Sequence, residues 1–358
     1  MARGRYLSRY RGRRGGSGVL KALIVFLAVL LAAGVLFYFF LGNYIQYTDD
    51  GVRLVLPWME EKPVVEDPAP EVSDMIVEES EEPVVLPPAE EPLRRLEAVE
   101  VTPEAVIAGT AAEKVKAAGG SALVVRVKNV EGYLAWDSQT EPAVAAELIG
   151  SADFRGAIAD LAEAEDLYLV ARMNVFQDLW MCVHDKTMAL TTPAGKLWYD
   201  TYGMPWLSPA NADARRYAVQ LCMELAEMGF DEILLERAGF PAKGKVSAVT
   251  TDANYPAEGR DEAVEQWLSE LTAALEGTGV RLSVRVKEEE VTQTAGNSGW
   301  TARSLALADR VWLESGANLE EDTLALEQAG MENAREHLVQ IWSKVPEDRS
   351  ESWAVLAG

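Results

Sequence analysis

The sequence predicts an α/β fold, a closed TIM-like (β/α)8 barrel preceded by one membrane-spanning helix and an acidic, proline-rich stalk. Three observations carry this. An unbroken apolar run, ALIVFLAVLLAAGVLFYFFL, fills residues 22–41. A segment dominated by proline and carboxylates follows it. From residue 95 onward the texture changes to short strand-like runs alternating with helical patterns, and a barrel of eight βα units takes roughly 250 residues.

The apolar run comes first in the chain. At about 1.5 Å of rise per residue it matches a hydrocarbon core of roughly 30 Å. Arg3, Arg5, Arg9, Arg11, Arg13, Arg14 and Lys21 precede it, and Asp49 and Asp50 follow. The excess of positive charge on one side predicts a basic cytoplasmic tail over residues 1–18, a transmembrane helix over 19–41 and an extracytoplasmic remainder, a single-pass protein of the cell membrane. A cleaved signal peptide needs a shorter run closed by small residues, whereas this one ends in Phe37, Tyr38, Phe39 and Phe40. Residues 42–94 read as a linker. Between residues 56 and 92 repeated proline blocks helix and central strand, and like charges repel, so an extended, disordered stalk is expected.

In the predicted barrel domain, residues 95–358, strands are expected near 96–101, 122–128, 167–174, 231–236, 280–287, 309–314, 337–342 and 352–357. Helices are expected over 103–118, with Thr102 as N-cap, Pro103 in the first turn and Gly119-Gly120 at the end, and over 143–165, 211–228 and 261–275. A doubly wound sheet is the rival architecture. It would carry a glycine-rich phosphate turn after an early strand, and Lys128-Asn129-Val130-Glu131-Gly132 is not one. The last βα units are compressed, which predicts an irregular closing end.

Composition narrows the function. A net charge of −24 argues against nucleic acid as a partner. With only Cys182 and Cys222 there is no disulfide framework; Cys222 lies on the apolar stripe of a predicted helix, and whether the two are bridged stays open. His184 and His337 alone support neither a histidine metal site nor a Ser-His-Asp triad, so no metal and no cofactor are expected. Protein partners are unknown at this level.

Four stretches then stand out: ALVVRVKNVEGYLAWDS at residues 122–138, LVARMNVFQD from Leu169, Trp206-Leu207-Ser208-Pro209, and GFDEILLERAGFP from Gly229. Together they resemble the bacterial putative glycoside hydrolase family, a domain of unknown function with a glycosidase-type TIM barrel. The resemblance is strongest in the middle of residues 95–358 and implies that barrel and carbohydrate as its partner. Where the family usually reads Phe-Asp-Tyr-(Val/Ile)-Arg-Phe-Pro, this chain has Leu235-Glu236-Arg237-Ala238-Gly239-Phe240-Pro241. The family's Asp-x-Lys is Arg126-Val127-Lys128 here, Ser-x-Asp is Ser283-Val284-Arg285, and Pro-Met-x-Tyr-Pro is Trp312-Leu313-Glu314-Ser315-Gly316.

Strand parity locates the candidate site. Val125, Val127, Leu169, Ala171, Met173, Ile233, Leu235, Leu282, Val284, Val286, Val311 and Leu313 form one apolar face for the helices. The other parity, at the C-terminal strand ends, sets Arg126, Lys128, Arg172, Asn174, Glu236, Arg285, Lys287, Trp312, Glu314, Gln340 and Trp342 around the mouth. Glu236 and Glu314 are the candidate catalytic carboxylates of a glycosidase, and Glu131, Asp137, Asp178 and Glu288 are further loop acids. Candidate substrate-binding residues are Arg126, Lys128, Arg172, Asn174, Asp178, Trp206, Arg285, Lys287, Trp312 and Trp342. Trp180, Trp198, Tyr199, Tyr202 and Trp206 crowd one loop, where flat rings suit the apolar faces of sugars. Two readings stay open: a glycosidase-like barrel that binds and cleaves a cell-envelope polysaccharide, and a catalytically degenerate barrel that binds an anionic glycan or a protein partner.

Overall fold

A computed structural model describes residues 45–48, 51–54, 93–164, 167–292 and 298–356. The basic tail, the apolar run and most of the linker lie outside these residues. Among the described residues no helix is long and apolar enough to cross a membrane. The chain divides into two units, Met1–Leu86 and Pro87–Gly358. In the first, β1 (Ile45–Thr48) pairs antiparallel with β2 (Gly51–Leu54), Ile45 facing Leu54. The linker expected over 42–94 therefore contains a short hairpin. Ile, Tyr, Thr and Val favour extended backbone, and the prolines that forbid pairing begin only at Pro57.

The second unit is the barrel. β3 (Glu97–Val101), β4 (Ala122–Lys128), β5 (Tyr168–Asn174), β6 (Glu232–Glu236), β7 (Arg281–Arg285), β8 (Arg310–Glu314), β9 (Leu338–Trp342) and β10 (Trp353–Val355) pair in chain order and close through β10 on β3. Every pair is parallel. All eight fall where the sequence predicts strands, and closure excludes the doubly wound rival. One parity packs under the helices, with Val125, Leu169, Ile233, Val284 and Val311 in the outer core. The other fills the barrel with Ala98, Val124, Val170, Leu234, Trp312, Val339 and Ile341.

The helices depart from expectation where glycine interrupts. The run expected over 103–118 is two helices, Pro103–Ile107 and Ala111–Ala117, parted at Gly109 with φ +70°. The run expected over 143–165 becomes Glu141–Ala145 and Ala152–Glu163. Between them a Cβ on Gly150 would lie 2.5 Å from the Ala135 carbonyl oxygen, so no larger residue fits there. Ala212–Glu227 and Arg260–Leu275 agree with prediction, the first capped by the Asn211 side chain. Leu179–His184, Glu288–Thr292, Ala302–Leu305 and Leu319–Gln328 were not expected; the first three are too short to show a helical period. No helix joins β9 to β10, the irregular closure the compressed sequence predicts. Cys182 and Cys222 are both free and buried.

Candidate functional site

At the C-terminal ends of β5 to β8 the inward side chains Arg172, Glu236, Arg285 and Glu314 meet in a cavity of about 320 Å³. Residues beyond the strand ends complete it: Gln177, Asp200, Tyr202 and Trp206 after β5, Arg237, Phe240 and Lys243 after β6, Lys287, Glu290 and Trp300 after β7. Gly239 permits the last approach, because a Cβ there would sit 2.6 Å from the Ser298 carbonyl oxygen and 2.7 Å from Trp300 Nε1. The Phe240 amide then donates to Ser298 O at 2.8 Å, which holds the Trp300 loop to the mouth.

Charge alternates from strand to strand. Arg172 Nη1 donates to both Glu100 oxygens at 2.7 and 2.8 Å, and its Nε lies 2.9 Å from Glu236 Oε2. The other Glu236 oxygen takes Arg285 Nη1 at 2.5 Å, while Arg285 Nη2 reaches Glu314 Oε1 at 2.5 Å. One guanidinium therefore holds both candidate carboxylates. Burial alone would push the Glu236 carboxyl up, but the Arg172 and Arg285 cations outweigh it and keep it below the ordinary glutamate value. A glycosidase acid needs the opposite shift.

Asp200 organises the aromatic wall. Its Oδ2 accepts from Gln177 Nε2 at 2.7 Å and Trp206 Nε1 at 3.0 Å, and its Oδ1 accepts from the amides of Tyr202 and Met204. Trp206 is buried in that wall, whereas Tyr202 is 71% exposed above the cavity.

Of the predicted site residues, Arg172, Glu236, Arg285, Lys287, Glu314 and Trp206 line this cavity together. The others do not. Between Arg126 and Lys128 the β4–β5 register shifts, so Lys128 stands opposite Met173, a residue of the outer core. Its ammonium is sealed 2.7 Å from Asp178 and donates to the Asn174 carbonyl. Asp178 also caps the helix Leu179–His184, and Asn174 donates to the Gln177 carbonyl at 2.6 Å. Lys128, Asn174 and Asp178 are thus corrected from substrate contacts to buried ties within the wall.

Trp312 has the expected parity but lies wholly buried in the barrel interior. Gln340 and Trp342 have the opposite parity to the one expected: Val339 and Ile341 fill the inner core, while Gln340 and Trp342 face a separate surface pocket with Lys344 and Pro346. Three of the five β9 residues are aliphatic, so alternation there has no clear apolar side. Arg126 sits 3.6 Å from Glu100 and lines an adjoining groove with Ile107, Tyr133 and Ile149. Glu131, Asp137, Asp178 and Glu288 do not line the cavity, nor do Trp180, Trp198 and Tyr199. Gln177, Asp200, Lys243 and Trp300 escaped the sequence reading because they sit on loops, and Glu290 because its helix, Glu288–Thr292, is too short to show a period that sets direction.

A family described as Putative glycosyl hydrolase domain matches residues 106–304, more than half of the chain. The chain belongs to that family. The matched stretch includes Glu236 and Arg285 and stops short of Glu314. No curated protein matches the chain. Among solved structures, similarity extends to a hypothetical protein from Ruminiclostridium thermocellum, 21% identical over 52% of this chain and 96% of that one, TM-score 0.45. The PgaB (BpsB) glycoside hydrolase domain from Bordetella bronchiseptica is 12% identical over 74% of this chain and 93% of its own, TM-score 0.49. A Group II chitinase catalytic domain from Ostrinia furnacalis is 13% identical over 69% of this chain and 64% of its own, TM-score 0.40.

Proposed function

We propose that this chain is a membrane-tethered glycan-binding barrel, which holds an acidic polysaccharide of the cell envelope in the β5–β8 cavity and does not cleave it through Glu236 and Glu314. The observation that carries the reading is Arg285, whose guanidinium occupies one oxygen of each carboxylate. Arg172 and Arg285 together hold the Glu236 carboxyl below the ordinary glutamate value, whereas hydrolysis by paired carboxylates needs one protonated acid. Tyr202, exposed over the cavity, offers a stacking face for a sugar ring, with the buried Trp206 and Trp300 lining the wall beneath it.

Location rests on the apolar run of residues 22–41 and the basic residues before it, which favour a single-pass anchor with the barrel outside the cytoplasm.

The test uses the full chain in detergent or membranes with purified acidic and neutral envelope polysaccharides, measuring retention of polymer and release of reducing ends. Retention of the acidic polymer without new reducing ends is expected. Reducing ends released by the wild type and lost in Glu236→Gln would replace this reading with a hydrolase.

A further inference from the structure

The charges at the mouth divide into those with partners and those without, and the second group has one sign. Glu236 and Glu314 are held by Arg285, and the Asp200 oxygens are filled by four donors. Glu290 accepts the Lys287 amide at 3.0 Å. Arg237, Lys243 and Lys287 line the same cavity, and among the described residues their side chains take no hydrogen bond or ion pair. In a chain of net charge −24, Arg237, Lys243 and Lys287 gather three exposed cations around one cavity and make a local positive patch there.

Arg237 carries a second, independent mark. Its φ is +50°, in the left-handed region where a side chain is strained and glycine is not. Glu147 and Asn333 are the other described non-glycine residues with positive φ, and neither lines the cavity. Strain at a site-lining residue with no partner of its own points to a ligand as the reason for that residue. The Arg237 guanidinium is also held below the ordinary arginine value, by loss of surrounding water first and then by the neighbouring Arg285 and Arg172, against the pull of Glu236.

We propose that Arg237, with Lys243 and Lys287, forms an anion subsite that takes the carboxylate or phosphate of an acidic sugar. The planar guanidinium fork matches either anion in a bidentate pair, and the two lysines act as point charges around it. The subsite rests on the reading that the cavity binds glycan and adds which chemical group is recognised and by which residues.

The test titrates the full chain with D-glucuronate, D-glucose 6-phosphate, inorganic phosphate and D-glucose, following the fluorescence of Trp206 and Trp300 and the melting temperature. At least about tenfold preference for an anionic probe over glucose is expected in the wild type. It should fall below about threefold in Arg237→Gly and be partly restored in Arg237→Lys. Preference for glucuronate identifies a carboxylate ligand; preference for glucose 6-phosphate and phosphate identifies a phosphate. Arg237→Gly should keep or raise the melting temperature, because glycine relaxes the left-handed backbone, so lost binding is not lost folding. Equal binding of glucose and both anionic sugars, or a preference that survives Arg237→Gly, overturns the subsite. If the anions bind through Arg237 and no envelope polysaccharide is retained, the proposed function falls and the subsite stands. Polysaccharide retention that ignores Arg237→Gly does the reverse.

Discussion

The strands β6, β7 and β8 each carry a polar residue at both ends of their inward face, and the two ends solve the same electrostatic problem differently. At the N-terminal end Glu232 pairs with Arg310, and both side chains are 0% exposed. Ser283 Oγ also donates to Glu232, Tyr168 OH donates to it at 3.0 Å, and Arg310 Nη2 reaches the Arg94 carbonyl at 2.8 Å. At the C-terminal end the corresponding chain runs from Glu236, 6% exposed, through Arg285 at 27% to Glu314 at 61%. The sealed end balances its charges internally. The open end holds its acids and leaves cations over. A sealed network can only support the fold, whereas an open one with an unspent charge has something to offer a ligand.

The largest expected effect is at the sealed end. Arg310→Met leaves Glu232 buried without its cation and should cost about 3–5 kcal/mol in urea denaturation followed by tryptophan fluorescence. Pairing it with Glu232→Leu should recover most of that loss, since an apolar pair of similar volume avoids the desolvation that the ion pair must offset. If Arg310→Met proves nearly neutral, the sealed network is not what holds that end of the barrel and the contrast collapses.

A buried acid elsewhere sharpens the same rule with a smaller effect of opposite sign. Asp322, on the helix Leu319–Gln328, is 0% exposed and neither carboxyl oxygen has a hydrogen-bond partner. Lacking a cation, it takes up a proton instead: burial, then the neighbouring Glu288 and Glu321 carboxylates, pushes its pKa up to about 7. A folded-state value above the unfolded one means the folded state binds more protons between the two, so stability falls as pH rises from about 4 to about 7. Asp322→Asn removes the titration. It should raise stability by about 1–3 kcal/mol at pH 8, with little change at pH 4. Urea midpoints across that range check it, and an unaltered pH profile would show that the acid is not sealed.

Both ends of the barrel were partly legible beforehand, for a physical reason. The eight strands stood out because β-branched alternation is set by the pleat, and the same alternation put Arg172, Glu236, Arg285 and Glu314 on the inward face. The reading failed where alternation itself fails. A register shift in β4 turned Lys128 into the wall, and β9, aliphatic at Leu338, Val339 and Ile341, gave no parity to read, so Trp342 was placed on the wrong side. Arg237 was visible as an arginine where the family usually has tyrosine, but its left-handed backbone and its lack of a partner belong to the turn after β6. Lys243 and Trp300 arrive from loops whose direction depends on close approaches such as that at Gly239.

The smallest effect on stability lies at the outermost member of the open network, and there stability and binding should part. Glu314 is 61% exposed, so its pair with Arg285 is screened by water and contributes no more than about 1 kcal/mol. Glu314→Gln removes that charge while Arg285 keeps its bond to the buried Glu236. The cavity then gains one unit of positive charge without losing a wall. Denaturation should shift by less than about 1 kcal/mol, while affinity for the anionic probe rises several-fold at low salt and the gain fades as salt screens it. The same substitution at a sealed position could not behave this way, because a charge with no access to solvent or ligand affects only the fold. A large stability loss in Glu314→Gln, or anion affinity that does not move, would mean that Glu314 belongs with the sealed end and that the gradient of exposure along this network has no functional meaning.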